Sequence, residues 1–352
     1  MSADSSAPSE ATPSAVGRVG IARRLLSSPE VAVAFIVLIF VAYGMTQSSQ
    51  FVNPDTWINI LRNAVFIAIV GCGTTYVLIA GGLDLSIGSV FMAGAVGAAA
   101  VAQAGHPPVM AIAAGVLIGI IVGLINGVLV NYAQISAIIV TLGTLFAVRA
   151  LAVTATGGSP IGPLPDSFTV IGQGSLFGIP YLIYYAVAVI AVAHIVLQFT
   201  SFGWNVRALG GNALAARSMG INTRRLSTSV YIIGGALAGL AGVLMASRLG
   251  SGPPSLGGAF ELQVIAAAII GGTSIYGSIG SIPGTALGAL LLSVLTTGLV
   301  ILKVDPAMQN FAVGVVIILA AGLDRVRKTQ MFKTSARVSQ RADQPDSEMS
   351  AP

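Results

Sequence analysis

Charge is what this chain has least of. Only 8% of its 352 residues are Asp, Glu, Lys or Arg, against about 25% in an ordinary soluble domain. With 55% apolar residues and a mean hydropathy of +0.89, it lacks the polar surface a water-soluble protein needs. Cysteine occurs once, at Cys72. An intrachain disulfide and a cysteine metal cluster are therefore both excluded, and Cys72 reads as a small buried apolar residue. Lysine occurs only at Lys303, Lys328 and Lys333, none after a G-x-x-x-x-G-K-[ST] loop, so ATP binding through a P-loop is excluded. No nucleophile stands beside a base, and no H-E-x-x-H is present. His106 in a turn and His194 in an apolar run have no ligand-spaced neighbours. Catalytic, metal and cofactor roles are thus all expected to be none. No basic patch interleaved with aromatics occurs, which argues against nucleic acid. Aspartate–lysine pairs of the kind a proton relay uses are missing from the apolar runs. The period-two alternation of a membrane β-barrel is absent too.

What remains is a series of apolar runs of about 20 residues, the length that crosses a bilayer as a helix. The sequence predicts ten, roughly over 31–45, 63–80, 89–103, 109–130, 136–153, 181–199, 229–245, 262–270, 284–302 and 311–323. The eighth is broken by Gly271-Gly272. The expected fold is all-α and polytopic. Residues 1–28 read as a disordered cytoplasmic segment, 29–324 as the transmembrane domain and 325–352 as a cytoplasmic polar tail. Glycines at 115, 119, 123 and 127, and again at 235, 239 and 242, lie on single helix faces and permit close helix approach. Ten spans place both termini on one side. With that side cytoplasmic, thirteen basic residues fall inside and only Arg62, Arg248 and Lys303 outside, as the positive-inside rule requires. The uncleaved first run and the orientation fit a plasma-membrane protein.

The densest charge lies in Gly203–Ser227, where Arg207, Arg217, Arg224 and Arg225 sit between two apolar runs. Gly210-Gly211-Asn212 reads as a helix start with Asn212 as N-cap. Ala213–Met219 are good helix formers, and Gly220 can end the helix in the left-handed conformation. Two turns do not hold alone in water. The expectation is that this helix docks into a partner protein at the membrane surface.

The polar residues within the spans are candidates for a solute pathway. Asp84 lies between apolar runs in GGLDLSIGS (Gly81–Ser89). A membrane carboxylate faces a cavity or a partner; the alternative is a cytoplasmic turn whose aspartate caps the next helix. Asn126, Thr141 and Thr144 offer groups a sugar hydroxyl could use, or interhelical hydrogen bonds. Glu261 opens the eighth run at the expected outer face, either lining an entrance or simply favoured by the helix dipole. Arg149 is expected to snorkel to the interface.

Several stretches together resemble the permeases of bacterial ABC importers for ribose, xylose, galactose and related sugars. They are GGLDLSIGS, LINGVLV (Leu124–Val130), TLGT (Thr141–Thr144) followed by Arg149, and the arginine loop through Gly220-Ile221. The likeness continues in GGALAGLAGVL (Gly234–Leu244), ELQVIAAAIIGGTS (Glu261–Ser274) and GSIGSIPGTALGALLL (Gly277–Leu292). It covers roughly Phe51 to Leu323, with Gln263 and Ser136-Ala137 departing from the pattern. The resemblance implies a type II ABC importer permease fold in the bacterial inner membrane. It also implies a second permease copy, identical or a close paralogue, a separate ATP-binding cassette subunit and a periplasmic sugar-binding protein, besides the surrounding lipid. It assigns ATPase coupling to Gly211, Asn212, Leu214, Ala215, Ala216, Arg217, Met219 and Gly220, so that ATP is hydrolysed in another chain and the permease is not itself an enzyme. A self-sufficient secondary transporter or channel is the alternative, disfavoured by the missing ion-pair chemistry.

Overall fold

The computed structural model describes residues 29–305, 307–309, 311–316 and 318, with side chains from Leu38 onward. The expected terminal segments, 1–28 and 325–352, and residues 317 and 319–323 of the tenth run lie outside the described residues. Apart from one two-residue antiparallel pair, the described chain is helical.

Helix α1 covers Pro29–Gln47, and a 3-10 turn at Ser49–Val52 leads to α2, Pro54–Ile79. Then come α3 (Ile87–Gln103), α4 (Pro108–Asn131) and α5 (Ala137–Thr156). Between α5 and α7 (Tyr181–Phe199) lie the short α6 (Asp166–Gln173) and strands β1 (Ser175–Leu176) and β2 (Ile179–Pro180). Two short helices follow, α8 (Ser201–Gly211) and α9 (Ala213–Ser218), and then α10 (Thr223–Leu249), α11 (Phe260–Ile270) and α12 (Ile282–Ile301). A last short apolar helix runs over Ala307–Val316.

Six of these, α2, α4, α5, α7, α10 and α12, are long and apolar enough to cross a membrane. Four shorter apolar helices accompany them. The chain is thus a polytopic helical membrane protein, and the count of ten crossings stays an expectation. α2 begins nine residues before its expected start. Asn53 caps it, its side chain accepting from Asp55 N at 2.9 Å, and Pro54 fills the first turn, where a missing N–H costs nothing.

The glycine ladders explain the packing. On α4, a Cβ at Gly119 would overlap the carbonyl of Gly235, one at Gly123 that of Tyr231, and one at Gly127 would come within 2.9 Å of the Thr228 backbone. On α10, Gly239 meets the backbone of Gly115, and a Cβ at Gly94 of α3 would reach the Gly239 carbonyl at 2.7 Å. Three backbones therefore touch with no side chain between them, and the attraction is close van der Waals packing rather than hydrophobic transfer, because lipid is as apolar as leucine. α2 is the other central helix: 83% of its most apolar window is buried, against 22% for α5 and α7, which face outward.

α11 covers the eighth run and ends where that run was expected to break. It has 11 residues, about 16 Å of helix, roughly half of a bilayer core of about 30 Å. The break at Gly271-Gly272 is real, with Gly272 at φ +92°. Gly280, Gly284 and Gly288 are also four residues apart, but they do not share one helix. Gly284 and Gly288 pack on the backbones of Gly271 and Ala267, but Gly280 precedes α12 and lies against the Ile79 side chain.

Candidate functional site

The arginine-rich segment is two helices, not one helix in a loop. Thr200 caps α8, and Val206 and Leu209 bury its inner face. Gly210 and Gly211 are the last residues of α8, which corrects their reading as the start of the next helix. Their true constraint is tertiary. A Cβ on Gly210 would overlap the carbonyl of Ile79 at the end of α2 and come within 2.7 Å of Ser278 N. Ser278 N donates to that same carbonyl at 2.8 Å, and Gly277, at φ +90°, packs against Gly210. One glycine thus ties α8 to the ends of α2 and of the α11–α12 connection.

Asn212 serves both helices. Its N–H closes α8 on the Ala208 carbonyl at 3.1 Å. Its Oδ1 accepts from Leu214 N and Ala215 N, each at 3.0 Å, as the cap of α9. Gly220, at φ +84°, ends the turn after α9, and Ile221 N donates back to Ala216 O at 3.1 Å. Asn222 then caps α10 through Arg225 N at 3.1 Å. Of the α9 region only Ala216 is buried, while Ala215 and Arg217 are exposed. Leu214 and Met219 are 80% and 82% exposed. Two large apolar side chains thus stand exposed beside an arginine on a helix fixed at both ends.

The proposed pathway residues fall into two groups. Asp84 is 2% exposed, so it is no surface turn. Its Oδ1 accepts from Ser86 N at 2.8 Å and from Ser86 Oγ at 2.6 Å. Asn126 Nδ2 on α4 donates to Ser86 Oγ at 2.8 Å, and Thr144 Oγ1 on α5 donates to Asn126 Oδ1 at 2.7 Å. The chain of bonds ties the α2–α3 connection to α4 and α5. Ser86, the hub, has no feature in the sequence that distinguishes it from any other serine. Thr141 is fully buried but donates to Ala137 O at 2.8 Å within its own helix, outside this network.

Phe91 and Ala95 of α3 meet Gly242 of α10, so α3 starts beside the middle of α10 and not at its end. Gly82 lies under the Tyr231 hydroxyl, which donates to Leu83 O at 3.3 Å. The connection carrying Asp84 therefore runs inside the bundle.

Glu261 belongs to the second group. A Cβ at Gly88, in the first turn of α3, would strike its carboxylate and reach Gly257 O at 2.9 Å. Glu261 is thus half-buried against the start of α3. The segment before α11 dips inward along α3, with Gly252 against Ala95 and Ala99 and Gly257 against Gly88. Arg149 does not snorkel outward: its Nη2 donates to Gly257 O at 2.8 Å and so holds this segment. Among the described residues, Glu261 Oε2 and Arg149 Nε are buried without a hydrogen-bond partner. The structure thus joins Asp84, Asn126 and Thr144 through Ser86 and brings Glu261 against Gly88 in the first turn of α3.

Known proteins match this chain along most of its length. It is 35% identical over 312 residues to the ribose import permease protein of Haemophilus influenzae, covering 87% of this chain and 96% of that one. The ribose import permease protein of Bacillus subtilis is 36% identical over 293 residues, covering 83% and 90%. The L-arabinose ABC transporter permease protein of Azospirillum brasilense is 33% identical over 307 residues, covering 87% and 90%. The family described as branched-chain amino acid transport system / permease component matches residues 56–321. By both measures, this chain is a membrane permease component belonging to that family.

Proposed function

We propose that the chain forms the membrane path of an ATP-driven importer for a neutral monosaccharide of the ribose, arabinose or galactose kind. The sugar comes from its relatives, which are named for ribose, L-arabinose and galactose import. The source of energy is argued from the chain: it has no P-loop, yet it presents a capped, apolar, arginine-bearing helix at one end of the bundle. That helix, α9, is the observation that carries the reading. In it Asn212 and Gly220 fix the ends, Leu214 and Met219 supply apolar contact, and Arg217 meets a carboxylate on an ATP-binding cassette subunit. Ala215 keeps the exposed face of α9 slim enough to enter a cleft, while Gly211, ending α8, and the buried Ala216 seat the helix on the bundle.

A force on α9 passes to α8 across Asn212, and from Gly210 to the ends of α2 and the α11–α12 connection. Those elements border the start of α3, where Asp84, Asn126, Thr144 and Glu261 gather. Rigid-body gating of this kind needs two packed states of the same helices. A second permease copy completes the path, and a periplasmic sugar-binding protein delivers solute from the other face. The chain lies in the bacterial inner membrane with ten crossings and both termini cytoplasmic.

The test is reconstitution with the ATPase and the binding protein in liposomes. D-ribose, D-galactose and L-arabinose uptake is measured with and without ATP. At least one sugar is expected to enter only with ATP. Replacing Gly211–Gly220 by a flexible linker should abolish both uptake and ATPase co-purification while leaving insertion intact. Uptake by the permease alone would overturn the reading in favour of a self-sufficient transporter.

A further inference from the structure

We infer that each permease subunit carries its own binding pocket for a neutral polyhydroxylated solute, between α2, α10, α11, α12 and the last short helix. The inference rests on the sugar-import reading and deepens it by naming a site within one subunit. The cavity measures about 340 Å³, within the range of about 300–1,000 Å³ usual for small-molecule sites. It shares α11 with Glu261, but none of Asp84, Asn126, Thr141, Thr144 and Glu261 lines it. Asn63, Phe66, Phe260, Gln263, Ser293 and Thr296 give it its chemistry.

Charge decides the ligand class first. Among the described residues no acidic or basic side chain lines the cavity. A zwitterion such as a branched-chain amino acid would bury an ammonium and a carboxylate with no counter-charge, at a cost no pocket of this kind offsets. A neutral solute has no such penalty.

Polarity decides next. Ser293 is fully buried, and its Oγ has no hydrogen-bond partner among the described residues. Such a group costs stability unless something fills its bonds. Gln263 adds an amide with both a donor and an acceptor, and its side chain makes no hydrogen bond among the described residues. Thr296 Oγ1 gives its proton to Leu292 O at 2.9 Å and keeps its lone pairs for an incoming hydroxyl. An apolar ligand would leave all of these unmet.

The aromatic walls complete the match. Phe260 stacks on Phe91 at 4.6 Å, and Phe91 meets Phe66 edge-on at 6.3 Å, so the two lining rings are braced from behind through a third. Rigid aromatic faces suit the C–H faces of a sugar ring, while the hydroxyls at its edge reach the serine, threonine and glutamine. At the rim, Arg248 lies over the Phe66 ring at 5.6 Å and donates to Asn63 Oδ1 at 2.9 Å. It holds Asn63 in place without entering the cavity. Gln263, which departs from the family pattern, thereby gains a role: an uncharged amide in a neutral pocket.

Cysteine protection tests the assignment in the complete reconstituted transporter. Thr296→Cys and, separately, Gln263→Cys are made in a Cys72→Ala background and treated with a small hydrophilic methanethiosulfonate. Labelling is timed with and without D-ribose, D-galactose or L-arabinose, with Val52→Cys, 64% exposed, as a control outside the pocket. The imported sugar is expected to slow labelling of both pocket cysteines, about fivefold at about four times its Kd, and to leave the control unchanged. Gln263→Leu and Ser293→Val are expected to raise KM for uptake while the ATPase still co-purifies. If none of the three sugars is imported, the sugar reading falls and this assignment falls with it. If one is imported and protects neither cysteine, or if neither cysteine is ever labelled, the pocket assignment alone is overturned.

Discussion

Asn126 shows how much one side chain can hold in an oily bundle. It is fully buried, donates to Ser86 Oγ and accepts from Thr144 Oγ1. Ser86 in turn satisfies Asp84 twice. A buried carboxylate that loses part of this support is left in a medium that solvates it badly. Asn126→Leu is nearly the same size and removes both bonds at once, so the loss is polar rather than steric. It should destabilise the protein by about 1–3 kcal/mol for each buried group left unmet, whereas Thr144→Val should cost less because it leaves the Ser86 bond intact. Cys72 provides the assay. It is buried and the only cysteine in the chain, so its reaction with a maleimide dye on heating reports unfolding. A midpoint for Asn126→Leu equal to that of the parent would show that the network contributes nothing to stability.

At the scale of whole helices, backbone contact sets the architecture, and it also decides what the sequence could reveal. The ladders on α4 and α10 were legible because four-residue spacing is a local property. The structure places them face to face, Gly119 on Gly235 and Gly115 on Gly239. Gly119→Val should therefore force α4 away from α10 and cut the yield of folded protein several-fold, by an overpacking cost of about 1–3 kcal/mol or more. Gly143→Ala on α5, where a Cβ meets nothing within 4 Å, should leave yield unchanged or slightly improved. Comparing the two by size-exclusion chromatography in detergent checks the claim, and equal yields would refute it. The cap of α9 was legible for the same local reason, since Asn212 and Gly220 act on their immediate neighbours. Gly210-Gly211 was misread because what fixes it is remote in sequence: Ile79 O and Gly277 lie far along the chain in either direction. The contact of Glu261 with Gly88 was hidden likewise. A carboxylate at a helix start looks the same at a surface as beside Gly88, and only the register of α3 on α10 tells them apart.

For the molecule as a whole, orientation joins the charge pattern to the packing. α2 has 26 residues, about 39 Å of helix, and its last residue, Ile79, touches Gly210 just before α9. Val52, immediately before α2 and 64% exposed, therefore lies a full bilayer away from Leu214. Among the described residues Arg207, Arg217, Arg224 and Arg225 surround α9, and from the positive-inside rule we propose that the α9 end is cytoplasmic. Single cysteines at these two positions in a Cys72→Ala background separate the geometry from the assignment. In intact spheroplasts a membrane-impermeant maleimide should label Val52→Cys at once and Leu214→Cys only after permeabilisation. The reverse pattern would keep the fold but invert the protein, and α9 could then no longer meet a cytoplasmic ATPase. Labelling of both positions from one side would contradict the crossing of α2 itself. The stated pattern puts the exposed leucine and methionine of α9 in the one compartment where a cassette subunit can cover them.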